Sequence, residues 1–149
     1  MWKYIYEQTF LLIGGIGMLQ IPSKTIPYYE AGIYLPLLLI ILGKDYSIVE
    51  QSPFKFKNPY LQLIDAVRIK IEHDLKETKD YFKLHQMRLV RGKTDDLFTE
   101  YHFYFGGVME CRRYSNIRLR NQSELLLAEY FKKNWCSYKM ALRCKSRYL

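Results

Sequence analysis

Few residues in this chain have the type and spacing that chemistry demands. Glu30 is one of them, the single charge in an apolar stretch reading "TIPYYEAGIYLPLLLIILG". An ionisable group near membrane depth is costly and marks a functional position by default. Glu30 also has a plain structural use, because behind Pro27 and two tyrosines it sits at a helix start, where a carboxylate is stabilised by the macrodipole. His73, His85 and His102 are 12 and 17 positions apart, with no HExxH and no cysteine at linear ligand spacing. They read as solvated or packed histidines. Cys111, Cys136 and Cys144 form no CxxC pair and are odd in number, which argues against a disulfide framework and a four-cysteine zinc site and for a reducing compartment. "GGIGML", with Gly14, Gly15 and Gly17, lacks the Lys-Ser/Thr of a phosphate loop, so its glycines read as sites of close helix approach. No Ser or Cys stands in a nucleophile-elbow context. The expectation is a protein that is not an enzyme, with no catalytic residue, no cofactor and no metal ligand.

The elements that would position these residues divide the chain unevenly. Residues 1–43 hold only Lys3, Glu7, Lys24 and Glu30, so the net charge of +8 falls on the remainder. Such asymmetry predicts a head that avoids water joined to a basic, solvated body. Two apolar segments, Trp2 to Leu19 and Thr25 to Gly43, approach the roughly 20 residues that cross a bilayer. Pro22 and Pro27 bracket their connection. Tyr28, Tyr29 and Tyr34 at one end of the second segment, with Lys44, Asp45 and Tyr46 at the other, read as interfacial anchors. A membrane anchor over residues 1–46, as one helix or a hairpin, is expected, followed by a basic helical region over 47–149.

After Pro59 the pattern turns helical. Ile64, Ile71 and Thr78 recur every seven residues, as do Arg68, Leu75, Phe82 and Leu89, and this narrow stripe predicts a seam for a partner helix. The aromatic run "DDLFTEYHFYF" between Gly92 and Gly106-Gly107 passes for a short strand but is read as helix. One or two more helices are expected from Val108 to Arg147. Arg112, Arg113, Arg118 and Arg120 with Tyr114 combine charge with a stacking ring, yet acids are interleaved throughout and no nucleic-acid module motif is present. The expectation is no nucleic-acid partner, with the excess of Lys and Arg holding the body on the side where the chain is made.

The stretch "SKTIPYYEAGIYLPLLLIILGKDY" at residues 23–46 resembles the membrane region of mitochondrial F-type ATP synthase subunit b, on Ser23, Lys24, Ile26, Tyr28, Tyr29, Glu30, the span Ala31 to Leu42, and Lys44. That resemblance implies an all-α membrane protein of the inner mitochondrial membrane, with its C-terminal region in the matrix. It implies a peripheral-stalk, or stator, part in proton transport and ATP synthesis, tethering the catalytic head to the membrane sector. The implied partners are subunit a, other stalk subunits, the catalytic head and the lipid bilayer, in a hetero-oligomeric complex. Lys24, Tyr28, Tyr29 and Glu30, with the three glycines, would serve membrane packing. An accessory membrane subunit of respiratory complex I is an alternative reading, and a soluble basic RNA-binding or ribosomal protein is another.

Overall fold

The computed structural model describes residues 21–145, with side chains described through residue 134. Gly14, Gly15 and Gly17 lie outside the described residues. After a short 3-10 turn at Ser23–Thr25, the chain forms helices α1 (Ile26–Gln51) and α2 (Asn58–Leu84). Strands β1 (Met87–Thr94), β2 (Phe98–Phe105) and β3 (Val108–Ser115) follow, and helix α3 (Asn116–Lys145) comes last. The strands pair antiparallel in the order β1-β2-β3. The fold is therefore mixed, and the expectation of an all-α membrane protein with an extended helical stalk is corrected.

The physical reason lies in the residues between Gln86 and Asn116. Thr99, Tyr101 and Phe103 are 2%, 6% and 0% exposed, while the intervening Glu100, His102 and Tyr104 point to the other face. That period of two is the signature of a half-buried strand, and aromatic and β-branched residues fit its pleat. Gly106 and Gly107 are a hairpin turn and not a helix break: Gly106 takes φ 58°, a conformation that a Cβ penalises. Their position sets the register, pairing Phe105 with Val108 and each earlier residue of β2 with a later one of β3. At the other hairpin, Asp95 Oδ1 accepts hydrogen bonds from the backbone N–H of Leu97 at 2.8 Å and of Phe98 at 2.7 Å. These bonds hold the Asp95 carboxyl below the usual aspartate range.

The described residues fall into two compact units. The first comprises 21–33 and Lys76–Asn116, and the second Tyr34–Leu75 and 117–145. In the first, Tyr29 is fully buried and stacks on Phe103 with ring centroids 4.4 Å apart, and its hydroxyl donates to the Tyr104 carbonyl at 2.6 Å. Burial, aided by the Glu110 carboxylate, pushes the Tyr29 phenol up to about 12. Glu30 is 8% exposed, and its Oε1 accepts from the Tyr114 hydroxyl at 3.3 Å. Tyr28 stacks on Tyr81 at 3.5 Å. Tyr28, Tyr29 and Glu30 thus pack against a sheet and a helix, while Lys24 in the 3-10 turn and Lys44 are exposed and Tyr46 is half-buried.

In the second unit Leu35, Leu38 and Leu42 of α1, Ile64, Val67 and Ile71 of α2, and Leu119 and Tyr130 of α3 are buried. Tyr130 donates to Asp74 Oδ2 at 2.6 Å, and Lys70 donates to Asp74 Oδ1 at 3.2 Å. The expected seam does not continue as one helix, because α2 stops at Leu84 and Leu89 lies on β1. Leu75 is half-buried. Phe82 and Leu89 close on Gly32, where an added Cβ would lie 3.1 Å from Phe82 Cζ and 3.0 Å from Leu89 Cδ2. Among the described residues, Ser23–Gln51 is long and apolar enough to cross a membrane by length and composition, a test that a buried core helix passes equally.

Candidate metal centre

The sheet has a second face, opposite Tyr101 and Phe103. On it β2 presents Glu100, His102 and Tyr104, and β3 presents Met109, Cys111 and Arg113. Cross-strand pairing sets His102 directly against Cys111 and Glu100 against Arg113. A carboxylate oxygen, an imidazole nitrogen and the Cys111 thiol all lie within 4.8 Å of one another. Successive same-face positions on β2 supply two of these donors, and the register of the Gly106-Gly107 hairpin supplies the third.

His102 is the best defined of the three. Its Nδ1 is enclosed and has no hydrogen-bond partner, which costs free energy unless something occupies its lone pair or accepts its proton. Its other nitrogen rests against β1 at Gly92, where an added Cβ would fall 2.6 Å from His102 Nε2 and 3.3 Å from Glu100 Cβ. A residue with a side chain at position 92 would collide with the imidazole, so the cradle needs glycine. Cys111 is an exposed free thiol at the rim. Arg113 reaches Glu100 Oε1 at 3.7 Å and Asp95 Oδ2 at 3.6 Å, and its guanidinium lies 4.6 Å from the Phe98 ring centroid. At such distances and exposure this ion pair contributes little, and it leaves the Glu100 carboxylate available to a cation.

The donor set is informative in itself. Oxygen, imidazole nitrogen and thiolate sulfur together suit zinc and neighbouring transition metals, whereas calcium and magnesium take oxygen shells. Among the described residues, none of the positions singled out for membrane packing contributes to this face. Tyr29 and Glu30 lie with the opposite, buried face, and Phe82 and Leu89 pack over Gly32. Linear spacing had set His102 aside and did not consider Glu100 or Gly92. The signal that finds them is Gly106-Gly107, since a two-residue turn there places His102 and Cys111 in opposition.

Comparison with known proteins locates the chain. A family model described as YhjD protein matches residues 20–135. The chain belongs to the YhjD family. A relative printed as "Uncharacterized protein YhjD", from Bacillus subtilis (strain 168), is 33% identical over 101 residues, covering 68% of this chain and 84% of that protein. No solved structure matches. The YhjD match takes in the whole of residues 23–46, the stretch on which the resemblance to ATP synthase subunit b rested. That resemblance is overturned, together with the stator function and the mitochondrial complex drawn from it. Its Tyr-Tyr-Glu pattern is explained by packing, with Tyr29 against Phe103 and Glu30 against Tyr114.

Proposed function

We propose that this YhjD-family chain binds a divalent transition-metal ion of the zinc class on the open face of its sheet, through the Glu100 carboxylate, the His102 imidazole and the Cys111 thiolate. The observation that carries this reading is the convergence of three unlike donors within 4.8 Å, one of them a histidine whose enclosed Nδ1 has no partner. Three protein ligands leave a fourth tetrahedral position for water or an exchangeable ligand. A bound ion of this class supplies Lewis acidity there, and the protein's part is to hold the donors on paired strands and to exclude other side chains at Gly92.

The test is a Co2+ titration of the reduced chain carrying Cys136→Ser and Cys144→Ser, so that Cys111 is the only thiol. A thiolate-to-cobalt charge-transfer band should grow to one equivalent and disappear when Zn2+ is added. Cys111→Ser should remove the band, and His102→Ala should weaken binding by more than the roughly 10- to 100-fold typical of an outer-shell change. Because protons compete with the ion for the thiolate sulfur and the imidazole nitrogen, affinity should rise with pH. A Co2+ affinity that neither substitution alters would refute the assignment.

A further inference from the structure

A second feature, independent of the metal centre, lies between α1 and α2. The residues "SPFKFKNPY" at 52–60 alternate rings with lysines. Phe54 is 52% exposed, Phe56 69% and Tyr60 54%, and Ile48, just before the loop, is 66% exposed. Two phenylalanines displayed together on a six-residue connection are hard to explain as packing, because neither is buried in its own unit. No acid occurs from residue 51 to residue 64, while Lys55 and Lys57 stand beside the rings.

The segment is also held in shape. Ser52 Oγ donates to the Val49 carbonyl at 2.6 Å, and Lys57 Nζ donates to the Glu50 carbonyl at 2.9 Å, satisfying acceptors that the end of α1 leaves open. Phe54 leans on Tyr60 with ring centroids 5.5 Å apart, and Lys55 Nζ lies 5.7 Å from the Phe56 ring centroid. A preformed loop gives up little further freedom on binding.

We infer that the Phe54–Phe56 loop is a docking site for an anionic lipid surface, with its rings entering the headgroup boundary and Lys55 and Lys57 against the negative headgroups. Apolar tips beside lysines, with acids excluded, match the composition of peripheral membrane-binding segments. A single-stranded nucleic acid fits less well, since stacking needs open ring faces. Here Lys55 lies over Phe56 and Tyr60 leans on Phe54. Docking of this kind lies on the surface and involves no span by α1.

The experiment is cosedimentation of the full chain with vesicles of phosphatidylcholine alone and of phosphatidylcholine mixed with phosphatidylglycerol. Binding should require phosphatidylglycerol and weaken as salt is raised. The paired change Phe54→Ser with Phe56→Ser should reduce it at least about tenfold, and removing each lysine charge by Lys55→Gln or Lys57→Gln should reduce it roughly fivefold. The serine pair should leave the far-ultraviolet circular dichroism unchanged and lower the thermal midpoint little, since it removes the Phe54–Tyr60 contact and an otherwise exposed Phe56 ring. In a chain with Trp2→Phe and Trp135→Phe, Phe56→Trp should be quenched by brominated lipid. Anionic-vesicle binding that the serine pair does not reduce would overturn the inference, as would loss of oligothymidylate binding in that variant with vesicle binding intact. The metal titration is unaffected by either result, so the two proposals fail separately.

Discussion

His102 owes its place to a residue without a side chain. Gly92→Ala would put a methyl group 2.6 Å from His102 Nε2, and the imidazole, being the movable partner, would swing out of its cradle. The expected result is a Co2+ affinity lowered by about tenfold or more, with the far-ultraviolet circular dichroism of the folded chain retained. Tyr29 makes a different residue-level statement. Its folded-state phenol is raised from 10.0 to about 12, so the folded chain holds that proton after the unfolded chain has released it. The stabilisation is complete below pH 10.0 and is lost as pH rises toward 12. Denaturant midpoints measured across that window should fall steeply, and Tyr29→Phe should flatten the fall. At neutral pH the same substitution removes the 2.6 Å bond to the Tyr104 carbonyl, at an expected cost of about 1 kcal/mol.

At the scale of the element, the three strands stand or fall with their turns and one ring. Phe103 is fully buried beneath Tyr29, and Phe103→Ala should destabilise the chain by about 3–5 kcal/mol in chemical denaturation, the usual cost of emptying so large a site. Asp95 closes the first hairpin with its carboxylate, so Asp95→Ala should lower the thermal midpoint at neutral pH. The carboxyl is depressed chiefly by the N–H of Phe98 and then by that of Leu97. Its contribution is present above the ordinary value of 3.8 and lost as pH falls through the lowered folded value, so variant and parent should converge in acid. The strands were partly visible beforehand, since Thr99, Tyr101 and Phe103 alternate with Glu100, His102 and Tyr104. The heptad pattern runs on in the sequence to Leu89, but the helix stops at Leu84, where Gln86 takes φ 53° and turns the chain into β1.

At the scale of the whole molecule, a ligand that binds the folded chain and not the unfolded one raises its stability by mass action. Zn2+ at a hundred times its dissociation constant should add about 2.7 kcal/mol, seen as a higher thermal midpoint that His102→Ala abolishes. Amino-acid order alone established a long apolar helix beginning near Ile26, another beginning near Pro59, and a net charge of +8 placed entirely beyond residue 43. These are local or additive properties, set by periodicity and composition. Only the tertiary structure shows which residues of the apolar helix meet protein, with Tyr29, Leu35 and Leu38 buried and Ile40, Ile41 and Ile48 exposed, because hydropathy alone is the same against a protein core as against lipid. It also decided the metal face. His102 and Cys111 are nine positions apart in the chain, a distance that means nothing until strand register makes them neighbours.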